Sequence, residues 1–165
     1  MSSVTYRLEL LVLDEAQAFY PAVGTKESLS GDNAGYDLKV VKKVGALQTA
    51  ELVPLGVKAR MVRVCPFGSG REEDCHFSLE PRSSIYKTNY MMANGRGVID
   101  RSYRGQLMAP LLSVGNPTER LSLDAGTRLF QIVAPDMGYI KEVEYVATLS
   151  ATARGEGGFG STGTK

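Results

Sequence analysis

VKARM, residues 57–61, puts Val57, Ala59 and Met61 on one face of an extended chain and Lys58 and Arg60 on the other. This is the two-residue period of a half-buried strand, whose successive side chains point to opposite faces. Outward from it, the same alternation, or a run of β-branched and aromatic residues, recurs over residues 6–13, 36–41, 57–64, 98–114 with a turn inside, 121–133 and 140–149. Turn formers separate these segments. Seven prolines, scattered from Pro21 to Pro135, leave no window for a long helix. Only DEAQAFY (residues 14–20) and SSIYKTNYMM (residues 83–92) have room for a short one. Many short strands with turns between them predict an all-β chain: a sandwich, jelly roll or barrel.

A length of 165 residues suits one domain with one sizeable core. We expect residues 1–150 to form it, and residues 151–165, where the composition changes sharply, to form a flexible arm. Nineteen basic against 18 acidic residues leave a net charge of +1. Such a balance supplies no field for a nucleic-acid backbone or an anionic membrane, so neither is expected as a partner. Neither a signal-peptide pattern nor a run of membrane-spanning length is present. The chain reads as cytoplasmic, or nuclear in a eukaryotic or viral setting, with Cys65 and Cys75 reduced. Cys75 and the sole histidine, His76, are adjacent, but on an extended segment they face opposite ways, which disfavours a zinc site.

The tail RGEGGFGSTG (residues 154–163) holds five of the chain's 18 glycines, with Arg154, Phe159, Ser161 and Thr162 between them. Glycine loses the most backbone entropy on ordering, so a linker is the simplest reading. A cation, a large ring and two hydroxyls spaced by residues without side chains are more than a linker needs. Upstream lie GTRLFQIV (residues 126–133), GVIDRSYRGQL (residues 97–107), PRSS (residues 81–84) and AGYDL (residues 34–38). GVIDRSYRG reads as a tight hairpin: a strand ending at Ile99, a polar turn through Asp100, Arg101 and Ser102, and a return strand opening at Tyr103. By turn preference alone Asp100 is a turn residue, Asn94 in ANGRG another, and a serine in PRSS a helix cap.

In this order, the five stretches resemble the five motifs of the trimeric dUTPase family, which hydrolyses dUTP to dUMP and pyrophosphate; the resemblance runs from about Ala34 to Gly163. It implies a distorted jelly-roll-like β-barrel with one short helix, assembled as a homotrimer with shared active sites. It also implies that Asp100 activates the attacking water, that Asn94, Gly97, Val98, Ile99 and Met108 frame the uracil, and that Tyr103 packs against the deoxyribose and leaves no room for a 2′-hydroxyl. Arg82 and Ser83 would contact the phosphates. Ser84 stands where the family usually has glycine, which puts an extra hydroxyl close to the triphosphate or turns it aside. Asp37 and Gln131 would support the triphosphate and its Mg²⁺, Asp37 through water. Magnesium suits such a place because it keeps several waters and is held chiefly by substrate phosphates. The tail would close over substrate at a neighbouring subunit: Arg154 on the γ-phosphate, Gly160, Ser161 and Thr162 adding backbone and hydroxyl contacts, and Phe159 covering the uracil.

Two other readings resemble the same residues less well. A dCTP deaminase shares the fold and an RSS like Arg82–Ser83–Ser84, but its catalytic glutamate would fall at Pro110, which has no acid or base to offer. A regulatory protein that keeps the fold and binds a protein partner is the second. PFGSGREEDCHF (residues 66–77) is longer and more charged than the family needs at that place, and reads as a solvated hairpin loop.

Overall fold

The computed structural model describes residues 3–66, 70–115 and 122–158. Eleven strands account for most of its regular structure: β1 (Thr5–Val12), β2 (Lys26–Ser28), β3 (Gly35–Lys39), β4 (Glu51–Val64), β5 (Glu72–Cys75), β6 (Phe77–Pro81), β7 (Tyr90–Met92), β8 (Gly97–Ile99), β9 (Gln106–Ser113), β10 (Arg128–Val133) and β11 (Ile140–Tyr145). The larger sheet runs β2-β11-β1-β4-β9-β7, with β5 also on β4, and the smaller runs β3-β10-β6-β8. The all-β expectation holds, though as two sheets and not as one closed barrel. Both send side chains into a single buried cluster, with Leu8, Leu10, Leu55 and Leu111 from one and Leu38, Leu79, Phe130 and Ile132 from the other. Fully burying a side chain of that size stabilises the fold by about 1.5–3 kcal/mol.

VKARM behaves as its period predicts. Val57, Ala59 and Met61 are buried, while Lys58 and Arg60 are only half-buried on the opposite face. β4 is longer than its alternation, reaching back through Pro54 to Glu51, and its register against β9 shifts between Pro54 and Lys58. Gly56 supplies that irregularity: it has φ 70, a left-handed conformation that side chains disfavour.

Two expectations need correcting, and a third takes a narrower form. The segment read as a solvated loop contains β5, paired antiparallel with residues 61–64 of β4. Its charges have partners: Arg7 grips Glu72 with two hydrogen bonds of 2.5 and 2.8 Å, and Arg60 donates to Asp74 at 2.8 Å and to Glu9 at 3.0 Å. The hydrogen bonds to Glu72 outweigh the opposing effect of burial and raise the Arg7 guanidinium above its usual range. In SSIYKTNYMM the helix is a single 3-10 segment, Ser83–Lys87, and the rest becomes β7; DEAQAFY likewise forms a 3-10 segment, Asp14–Phe19. Finally, the supposed hairpin at Asp100 is not one, because β8 and β9 belong to different sheets. Among the described residues no helix is long and apolar enough to cross a membrane.

Candidate active site

The chain crosses from the smaller sheet to the larger between β8 and β9, and Asp100 begins the crossing. The turn signal in DRSY is real: the Tyr103 N–H donates to the Asp100 carbonyl at 3.0 Å. It closes a corner between sheets. Tyr103 is buried, donates its hydroxyl to the Gln106 carbonyl at 2.8 Å, and lies so close over Gly105 that a Cβ there would meet the hydroxyl oxygen at 2.5 Å. Burial raises the Tyr103 phenol, which stays protonated.

Arg104 braces this corner. It is the one buried charged residue among those described. Its Nε donates to the Ser150 carbonyl at 2.8 Å, its Nη1 to the carbonyls of Arg101 at 2.8 Å and Tyr103 at 3.1 Å, and its Nη2 to Asp74 at 2.9 Å. One guanidinium thus ties the turn to β5 and to the start of the tail. Burial works to raise the Asp74 carboxyl, but hydrogen bonds and charge from Arg60 and then Arg104 prevail and hold it below the usual range. Sequence reasoning passed over Arg104, although a lone arginine beside the motif's tyrosine was the available signal.

A cavity of about 190 Å³ opens against the corner. Asn94, Gly97, Val98, Ile99, Tyr103 and Met108, expected to contact substrate, and Asp100, expected to activate water, line it together with Arg154 and Gly158. β8 is the edge strand of its sheet, so among the described residues one row of its backbone N–H and C=O groups has no partner strand. Such a row can pair with the polar edge of a flat heterocycle. The Asp100 carboxylate lies at the mouth of this pocket, with Oδ2 receiving a short hydrogen bond from Arg154 Nη1 and Oδ1 lying 3.6 Å from His76 Nδ1.

The described part of the tail, residues 151–158, docks on the same corner. Gly155 forms a bridge with Tyr103 and accepts the Arg104 N–H at 2.7 Å, and Thr152 donates to the Ser102 carbonyl. The Arg154 guanidinium lies over the Tyr103 ring, 5.5 Å from its centroid. Two glycines are required here: Gly155 has φ 58, and a Cβ on Gly158 would meet the Tyr103 ring at 2.6 Å. Arg154 therefore stands beside Asp100 of its own chain, whereas the resemblance implied the γ-phosphate at a neighbouring subunit. Phe159, Gly160, Ser161 and Thr162 lie outside the described residues.

Asp37, Arg82, Ser83 and Gln131 gather elsewhere, lining a second and larger cavity of about 710 Å³. β3 and β10 pair so that Asp37 faces Gln131. Asp37 accepts from Arg82 Nε at 2.9 Å and lies 3.5 Å from Arg128 Nη1, and Gln131 donates to the Pro81 carbonyl at 3.3 Å. With Lys39, this wall carries three cations, of which only Arg82 was expected from the sequence. Against the carboxylates of Glu27 and Asp37, which line it too, that leaves an excess of one positive charge, the sign an anion needs. Ser83 is among the lining residues and Ser84 is not. Among the described residues no three His, Cys, Asp or Glu side chains cluster as metal ligands. Cys75 is an inert thiol: burial pushes it up to about 11, and Sγ donates to the Met61 carbonyl at 3.6 Å.

An edge-strand pocket with a carboxylate at its mouth and a cationic cavity on the same β fold are the parts of a nucleotide-handling site. Residues 27–163 match the family model described as dUTPase. The chain is 35% identical over 135 residues to the deoxyuridine 5′-triphosphate nucleotidohydrolase of Wolinella succinogenes, covering 81% of this chain and 83% of that one. It is 32% identical over 146 residues to the protein of the same name from Leptospira interrogans, with 87% and 90% covered. In fold it is similar to the crystal structure of a dUTPase from Streptococcus mutans, with a TM-score of 0.51 and 21% identity over 86% of this chain and 99% of that one. The chain belongs to the dUTPase family.

Proposed function

We propose that the protein hydrolyses dUTP to dUMP and pyrophosphate by attack of water on the α-phosphorus, so keeping uracil out of DNA and supplying dUMP. The observation that carries this reading is the placing of Asp100 at the mouth of a pocket walled by an edge strand and a buried tyrosine. Uracil presents acceptor and donor groups that the free row of β8 can pair. Cytosine, with a donor where uracil has an acceptor, would leave buried groups unpaired, which is the strong form of rejection. Tyr103, fixed by its hydrogen bond to Gln106 and by the tail, stands where a 2′-hydroxyl would need room. The 5-methyl of thymine would meet the β8 wall.

In the reaction Asp100 takes the proton of the attacking water. Arg82 and Arg154 balance charge that builds on the phosphates, which is how phosphoryl transfer is mostly accelerated. Mg²⁺ fits this arrangement as an ion brought by the phosphates: Asp37, already between two arginines, offers one carboxylate that could meet its hydration shell. When bound, the ion would neutralise phosphate charge. Ser83 supplies a hydroxyl to the same phosphates. We further read the active unit as a homotrimer, since the base pocket and the cationic wall line separate cavities of one chain, a separation that sites shared between copies would remove.

The test is pyrophosphate release by purified protein from dUTP, dCTP, dTTP and UTP, with and without magnesium. We expect magnesium-stimulated release from dUTP, with kcat/KM for dCTP lower by about four orders of magnitude. Equal turnover of dCTP would refute the edge-strand account of base choice.

A further inference from the structure

The chain's only histidine stands beside the carboxylate that activates water, in a place that the mechanism leaves without a role. His76 is the single residue between β5 and β6. Its Nδ1 accepts the backbone N–H of Arg101 at 3.0 Å, and the same nitrogen lies 3.6 Å from Asp100 Oδ1. A ring nitrogen that accepts carries no proton, so the neutral imidazole keeps its proton on Nε2. The peptide whose N–H it receives is the one joining Asp100 to Arg101. His76 thereby fixes the first peptide plane of the corner, and with it the base of the Asp100 side chain. Oδ2 of that side chain is already engaged by Arg154, so Oδ1 is the oxygen left for water.

We propose that His76 is a positioning residue that gates the general base. When neutral it accepts from Arg101 and leaves Asp100 Oδ1 to the attacking water. When Nδ1 takes a proton from solvent it can no longer accept; it becomes a donor, and its nearest acceptor is Asp100 Oδ1. The corner then loses a hydrogen bond while the base is held in an ion pair. Among the charged groups nearby, Arg154 from the tail holds Asp100, while Glu80, its partner Arg96 at 2.9 Å and Asp136 line a groove of about 360 Å³ with His76. On β5, Asp74 is turned to Arg60 and Arg104. The gate therefore closes when His76 takes up a proton and opens when it gives that proton up.

This inference rests on Asp100 being the base, and its test separates the two. His76→Asn keeps an acceptor for the Arg101 N–H but cannot take up a proton. With dUTP at pH 8 its kcat and KM should stay within about two-fold of wild type, whereas at pH 5.5 its kcat should exceed wild type by about five-fold, because the acid limb due to imidazole is gone. Since the chain has one histidine, its imidazole NMR signals need no assignment, and they can be followed with pH in wild type and in Asp100→Asn. Removing the facing negative charge takes away an interaction that favours imidazolium, so the midpoint should move to lower pH in that variant. Superimposable pH profiles for wild type and His76→Asn, or a midpoint that Asp100→Asn does not move, would overturn the proposal. A wild type that fails to hydrolyse dUTP would defeat the functional reading, while the NMR midpoint would still decide whether His76 and Asp100 interact.

Discussion

Asp100→Asn is expected to bind dUTP nearly as wild type does while kcat falls by about two to four orders of magnitude. The amide has the shape of the carboxylate and retains one oxygen for the Arg154 guanidinium, so the pocket's walls are preserved. What it lacks is the ability to take the water's proton. The corner itself should survive, because it is closed by the Asp100 backbone carbonyl, by the Tyr103 N–H and by the Arg104 guanidinium, none of which the substitution touches. Stopped-flow or steady-state turnover, paired with a titration of a non-hydrolysed dUTP analogue, separates the two effects. Retention of most of the activity would remove Asp100 from the mechanism.

Ending the chain at Ala153 is the second change with a large expected effect. It deletes Arg154 and the glycine-rich segment, and we expect kcat to fall by about two orders of magnitude or more, the scale for losing a group that stabilises transition-state charge. The fold should be nearly unaffected. Beyond Ala153 the described tail contributes one backbone hydrogen bond from Arg104 to Gly155, another from the Gly155 N–H to the Thr152 hydroxyl, the Arg154 contacts with Asp100 and Tyr103, the packing of Gly158 on Tyr103, and an exposed ion pair between Glu156 and Lys58. Exposed ion pairs of that kind are worth at most about 1 kcal/mol. The Arg104 side chain keeps its bonds to Ser150 and Asp74, which lie before the cut or outside the tail. Oligomeric state by light scattering and thermal unfolding should thus match the full chain. An active truncated enzyme would refute the role given to the arm.

The sequence made strand faces legible, and left strand neighbours hidden. Alternation in VKARM says which residues point inward, and Val57, Ala59 and Met61 do. It says nothing about which strand lies alongside. The same turn residues that close a hairpin also close a corner between sheets, so DRSY was misread: only the pairing of β8 with β6 and of β9 with β4 and β7 distinguishes the two. EEDC looked solvated because three acidic residues in a row usually are. Its partners, Arg7, Arg60 and Arg104, come from 30 or 65 positions away for Arg104 and Arg7 and from the neighbouring strand for Arg60, a distance over which composition gives no sign of charge pairing.

The site followed the same division. Asn94, Gly97, Val98, Ile99, Asp100, Tyr103 and Met108 were named from a short run of sequence in and around GVIDRSYRGQL, and in the structure they line one pocket. Lys39 and Arg128 join Arg82 at the larger cavity through cross-strand register, which no local pattern encodes. His76 was weighed only as a metal ligand beside Cys75. Its actual neighbour, Asp100, is brought to it by the pairing of β6 with β8, since Phe77 stands opposite Ile99 and each residue's neighbour in sequence then falls just beyond that pair.

Hydrolysis of dUTP in water enriched in ¹⁸O tests the central claim most directly, because it reports both the substrate and the atom attacked. Water activated by Asp100 and directed at the α-phosphorus places the label in dUMP and none in pyrophosphate. Label in pyrophosphate would mean attack at the β-phosphorus and would contradict the account of how the Asp100 pocket and the cationic wall divide the nucleotide between them.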